Sequence, residues 1–306
     1  MRQFVESLFV EAIKAEDIEY NNIRDGEWPP ALAAKQFTEE LWKTYYPYAD
    51  AHFTRELQKT FHARFWEMYL TCTFLEQGFK LSCPKPGPDI SIDYSDKKIW
   101  IEAIAPTGGD QSKPDSVPEM EFGVVQGVPT DQVILRFRSA ICEKFEKKYF
   151  DYLTKGIILP TDSYVIAING KRAGFPYADY DPPRILRALF PIGHEEVILD
   201  WETGKIVDTR YQYKPNIKKV SGADVSTIVF LSSEYENLSA VLFSNVDAAN
   251  HPRKFGNDFI LIHNPLAKNP LPKDFLKLGR EYLPRILDDK RYQISFIDHI
   301  EIKQIV

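Results

Sequence analysis

Three acids in this chain stand where an acid is costly. Glu67 lies in RFWEMYLTCTF, an almost wholly apolar helical stretch. Asp89 follows Pro88 and opens the alternating run Ile90 to Tyr94. Glu102 is flanked by Trp100, Ile101, Ala103 and Ile104. A buried carboxylate needs a partner charge, hydrogen bonds or a metal. For Glu67 the bland partner is Arg64, three residues back on the helix. The sharper expectation is that Glu67, Asp89 and Glu102 converge on a divalent metal held by hard carboxylate oxygens. A metal so held activates water for hydrolysis.

The elements around these acids would have to aim them. Leu57, Phe61, Phe65, Met68, Cys72 and Leu75 make one helical stripe, and Trp66, Tyr69, Leu70 and Phe74 fill the other faces. The spacing predicts a buried helix from about residue 54 to 77, stopped at Gly78. Ile90 to Tyr94 alternates as a strand, Ser95-Asp96-Lys97 reads as a hairpin turn, and Ile99 to Ala105 is apolar enough for a central strand. A loop rich in Gly and Pro, about 107 to 131, leaves directly from the Glu102 strand and is a candidate lid. A second long helix, about 132 to 153, buries Val133, Phe137, Ile141, Phe145 and Tyr149. At helical spacing Lys144 falls about 20° from Phe137, and Lys148 about 20° from Ile141. Two lysines therefore point along the core side, either snorkelling past apolar neighbours or supplying a catalytic ammonium. Ser163 to Ile168 is the next strand.

Helix acid, Pro-Asp at a strand mouth, hairpin, then an acid inside the next strand: this order resembles the PD-(D/E)XK nuclease superfamily, the restriction-endonuclease-like fold. Glu67 matches the helical acid, Pro88-Asp89 the PD, and Glu102 the second acid, with twelve residues between Asp89 and Glu102. The match covers about residues 54 to 170. It departs from the family where the motif lysine should stand, because that position is Ile104. Lys144 is the favoured replacement, with Lys148 next and Lys98 a third choice on strand parity. The resemblance implies an α/β fold, a restriction-endonuclease-like core with a mixed central sheet flanked by helices. It also implies Mg²⁺, with Mn²⁺ as substitute, held by Asp89, Glu102 and Glu67, and DNA phosphodiester hydrolysis, with a restriction or defence endonuclease as the biological context. If no lysine reaches the acids, the implied protein is an inactive nuclease fold serving as a nucleic-acid-binding or protein-interaction module. An unrelated α/β enzyme using the same acids is a third class.

The chain is expected to divide into a helical N-terminal extension (1–53), the nuclease-like core (54–170) and a C-terminal α/β elaboration on the same sheet (171–306). In the last, strands are expected over 197–201, 205–211, 225–231, 238–244, 259–263 and 292–302, and a helix over 275–286. A net charge of −6 excludes a global basic field, so contacts to nucleic acid would be local. Arg136, Arg138, Lys171 and Arg172 are the candidates, with Lys218 and Lys219 beside them. Net acidity favours a specific site, a partner subunit or a small substrate over strong nonspecific binding, and the protein partner expected is a second copy forming a homodimer or a partner subunit. Cys72, Cys83 and Cys142 lack metal-ligand spacing and suit a reducing cytoplasm. No window reaches the length of a membrane span.

Overall fold

The computed structural model describes residues 7–10, 14–121, 123–288 and 291–299. The helical spacing of Phe4, Leu8, Ala12 and Ile13 falls mostly outside the described residues. Residues 1–6 and 11–13 lie outside the described residues, while Leu8 and Phe9 are buried in irregular chain. Helix α1 (Ile18–Asp25) starts where Asp17 caps it, accepting from the backbone N–H groups of Glu19 and Tyr20. Trp28-Pro29-Pro30 interrupts the helical spacing of the sequence, and a helix read from it would run only over about 33 to 45; Pro29 and Pro30 instead begin α2 (Pro29–Tyr45). The first helical turn does not use their missing N–H groups.

The single helix expected over 54–77 is two, α3 (Phe53–Leu57) and α4 (Phe61–Glu76), because Thr60 leaves helical geometry. Asp17 also fixes the start of α4: its Oδ2 accepts from Phe61 N at 3.1 Å. Twelve of the sixteen residues of α4 are buried, as a helix apolar on every side must be.

The strands β1 (Leu81–Ser82), β2 (Ile90–Tyr94), β3 (Lys97–Ile104), β4 (Ser163–Asn169), β9 (Ala240–Ser244), β10 (Ile260–His263), β11 (Gly279–Asp288) and β12 (Arg291–His299) form one mixed sheet, in that order across it. The β2–β3 hairpin is antiparallel; β3, β4 and β9 run parallel. Helix α5 (Thr130–Thr154) carries the chain between β3 and β4. Strand alternation sorts the core into two layers. Ile99, Ile101, Val165 and Ala167 pack on α4; Trp100, Tyr164, Ile166 and Ile168 pack with Phe137 and Ile141 of α5. The result is a large mixed sheet flanked by helices. The sheet continues past β4, so the C-terminal half extends the same layer through β9 to β12.

Two further expectations change in this half. Strand formation over 225–231 is limited to β8 (Asp224–Ser226), paired with β7 (Asn216–Lys218), before a 3₁₀ turn at Val229–Leu231. The helix expected over 275–286 is instead β11. Pro284 cannot donate within a helix, and Gly279 approaches the chain at φ 95, where a Cβ would stand 2.4 Å from the Phe259 carbonyl oxygen. That contact admits β11 beside β10, with Ile260 opposite Arg280. Helix α6 (Arg184–Leu189) packs beneath α5, and β5 (Ile192–Leu199) with β6 (Ile206–Tyr213) forms a separate ribbon.

Candidate functional site

The hairpin creates the site by ending early on one side. Strand β2 pairs with β3 only as far as Ile90 opposite Ile101, while β3 continues to Ile104. Asp89 sits at this mouth, and its Oδ2 accepts from Ala103 N at 2.8 Å. The bond takes up a β3 donor that β2 no longer meets, and it holds one carboxylate oxygen fixed.

Glu102 is buried on the face that Trp100 and Ile104 share, toward α5. Lys144 reaches down from α5, and its Nζ lies 2.6 Å from Glu102 Oε1. The Tyr152 hydroxyl, two turns further along the same helix, donates to Glu102 Oε2 at 3.4 Å. Of the three lysines weighed for the missing motif position, Lys144 makes this contact. Lys148 is exposed on α5, and Lys98 lies over the Trp100 ring and pairs with Asp93 at 3.7 Å.

Glu67 comes from the other layer, on α4. Arg64 Nη1 lies 2.6 Å from its Oε2, and the Tyr45 hydroxyl donates to Oε1 at 3.1 Å. Both the ion pair with Arg64 and the proximity to Asp89 are therefore present. Burial, then the Asp89 charge, push the Glu67 carboxyl above its usual range. Burial, then the Glu102 charge, do the same to Asp89. Asp89 is thus the middle member of a row, with Glu102 on one side of the sheet and Glu67 on the other. The three acids do not form a cage by themselves: among the described residues no group of three or more His, Cys, Asp or Glu side chains is placed to hold a metal ion.

A residue that the sequence motif does not announce completes the row. Lys85 Nζ stands 3.6 Å from Asp89 Oδ1, 3.6 Å from Glu67 Oε1 and 3.9 Å from Asp50 Oδ2. The signal for it was its place in KPKPGPD, four residues before Asp89 on a segment stiffened by prolines. Asp50 is also near Arg64, at 3.9 Å.

The donor set suits a hard divalent cation. Asp89 and Glu102 offer carboxylate oxygens, and their mutual repulsion in a buried setting is what such a cation relieves. The Ala103 main chain, between them, carries a further carbonyl.

The four basic residues expected to contact nucleic acid are each engaged within the chain. Arg136 Nε donates to the Thr107 carbonyl at 2.6 Å and Arg138 Nε to that of Ser226 at 3.0 Å. Lys171 pairs with Asp247, and Arg172 lies 3.5 Å from both Asp17 and Glu19. The loop leaving β3 is anchored: Val117 N donates to Gly108 O at 2.8 Å and Gln132 to Ser116 O at 2.8 Å. A larger cleft of about 920 Å³ lies elsewhere, against Tyr177, Asp181, Asp258 and Arg280. Its charges are largely spent on one another, since Arg280 pairs with Asp298 at 2.5 Å and approaches Asp181 at 3.9 Å. Among the described residues no helix is long and apolar enough to cross a membrane.

Comparison of the chain with protein-family models, with curated proteins and with solved structures gave no match. Its chemistry must be read from these side chains.

Proposed function

We propose that this chain is a metal-dependent nuclease of the restriction-endonuclease-like kind, hydrolysing DNA phosphodiester bonds at Asp89 and Glu102. One observation carries the proposal: the Lys144 ammonium lies 2.6 Å from Glu102, beside Asp89, in a chain whose motif lysine position is Ile104. Helix α5 thus supplies the group that β3 lacks. The order α4, β1 to β3, α5, β4, with β3 parallel to β4, supports the same fold assignment.

Asp89 and Glu102, with the Ala103 carbonyl, would hold Mg²⁺ or Mn²⁺, and Glu67 would join through water. A metal held there would supply an acidified water and offset charge at the phosphate. Asp89 keeps one oxygen on Ala103 N–H, so its other oxygen is aimed. Lys144, from α5, orients the attacking water and meets charge developing on the phosphate oxygens. Tyr152 holds the second oxygen of Glu102, limiting its rotation.

A catalytically inactive nuclease fold is the alternative, favoured by a different observation. Arg64, Lys85 and Lys144 already pair with the row of acids, and Lys171 and Arg172 pair with Asp247, Asp17 and Glu19.

Incubation of purified protein with plasmid, single-stranded DNA and RNA, with Mg²⁺ or Mn²⁺, separates the two. The expected result is metal-dependent cleavage of DNA. Asp89→Ala and Glu102→Ala should abolish it, and Lys144→Met should slow it by roughly 100-fold or more, with thermal unfolding still cooperative. Cleavage that survives in both acid variants overturns the assignment of the site. Absence of cleavage on every substrate, by a folded protein, favours the inactive module.

A further inference from the structure

We propose that Lys85 is a cation placeholder: its ammonium occupies the free oxygen of Asp89 until a divalent metal takes that oxygen, and the released ammonium then holds the substrate phosphate. The proposal rests on the metal-dependent reading of Asp89 and Glu102.

Two lysines serve this row of acids, and their settings differ. Lys144 is in direct contact with Glu102 and its side chain is 27% exposed. Lys85 makes no contact that short. It hangs between Asp89, Glu67 and Asp50 at 3.6–3.9 Å, on the solvent side, with its side chain 42% exposed. A long-range seat shared among three carboxylates is easily exchanged. Asp89 Oδ2 is committed to Ala103 N–H, so Oδ1, the oxygen that Lys85 faces, is the one left for a metal. An ammonium and a dication cannot both crowd one oxygen without strong repulsion; on Glu102, where Lys144 keeps Oε1, the oxygen left for the metal is Oε2. Lys85 therefore has to yield, and it has somewhere to go: it borders a hollow of about 520 Å³ with Tyr48, Asp50, Ser82 and Cys83. Glu67 does not follow it out, because Arg64 and Tyr45 hold that carboxylate in place. Once displaced, the ammonium remains on the solvent side of Asp89, and a compact three-donor cation there suits a phosphate oxygen.

The test is Mn²⁺ binding, read by the loss of free-ion electron paramagnetic resonance signal, on the intact wild-type chain and on the Lys85→Met, Lys144→Met and Asp89→Asn variants. Lys85→Met is expected to bind Mn²⁺ roughly ten-fold more tightly, because the competing cation is gone, while Asp89→Asn binds at least ten-fold more weakly. Lys85→Met should also raise the KM for a DNA substrate several-fold. Lys85→Arg, which keeps the charge, should restore wild-type competition for Mn²⁺. Unchanged or weaker Mn²⁺ binding by folded Lys85→Met, with binding still dependent on Asp89, overturns the placeholder and leaves the metal site standing. Tighter binding by Lys85→Met with no cleavage of any nucleic acid supports the placeholder and counts against the nuclease. No Mn²⁺ binding by any of the four proteins overturns both.

Discussion

Asp89 answers to several partners at once. It accepts a backbone N–H from Ala103, faces Lys85, and lies between two other buried acids. Burial and the Glu102 charge outweigh these partners, so its carboxyl ionises at higher pH in the folded chain than in the unfolded one. The contribution to stability is then fully present below about pH 4, where both states are protonated, and is lost as pH rises toward and through the raised folded value. Asp89→Asn keeps an oxygen for Ala103 N–H but removes the charge. It should flatten this part of the stability profile and raise the Tm at pH 7 by a few degrees, the scale of about 1 kcal/mol in a chain of this size. Thermal melts of both proteins from pH 4 to 8 measure it; a variant that melts lower at pH 7 with an unchanged slope would show that the Asp89 charge is stabilising. The nearby Lys85 was hidden from the motif because its role depends on a loop folding back over Asp89, not on strand or helix periodicity.

At the scale of elements, α4 and α5 hold the sheet between them; α4 delivers Glu67 with its partner Arg64, and α5 delivers Lys144. Their apolar stripes were legible because helical and strand periods differ, and burial enforces both. Trp66 shows how α4 is registered: it is fully buried and its Nε1 donates to the Ala167 carbonyl of β4 at 3.0 Å. Trp66→Ala should cost about 3–5 kcal/mol through the cavity and the lost contacts. Trp66→Phe, which fills most of the space, should cost closer to about 1 kcal/mol for the hydrogen bond. Urea unfolding midpoints of the two variants distinguish packing from hydrogen bonding as what registers α4. The misplaced helix at 275–286 has a plain cause. Its apolar spacing was compatible with a helix, but pairing to β10 requires the close approach at Gly279, and Ile260, which pairs with Arg280, is twenty residues away.

For the whole molecule, charge decides how nucleic acid could be met. The net charge is −6; of the four basic residues singled out along the chain, Lys171 and Arg172 pair with carboxylates, while Arg136 and Arg138 donate to backbone carbonyls and keep their charge. Nonspecific binding needs free cations that displace counterions from phosphate. The expected result is DNA affinity weaker than about 10 µM at 0.15 M salt without a divalent ion. Fluorescence anisotropy with Ca²⁺ added to occupy the site without cleavage should show tighter binding that Asp89→Asn abolishes. Tight, metal-independent binding to arbitrary duplex would locate the contact surface elsewhere.

Local pattern was enough for the acids, the hairpin, the buried helix and the inward face of the helix bearing Lys144. Each of these follows from hydrophobic period, or from the cost of burying a charge, and both are set within a few turns of chain. Tertiary structure decided what periodicity does not encode. It put Glu67 and Glu102 on opposite faces of the sheet with Asp89 between them, because successive side chains of a strand alternate and helices cover both sides. It chose Lys144 to meet Glu102, and it brought Lys85 and Asp50 to Asp89, since loops are placed by the scaffold they cross and not by any repeat of their own.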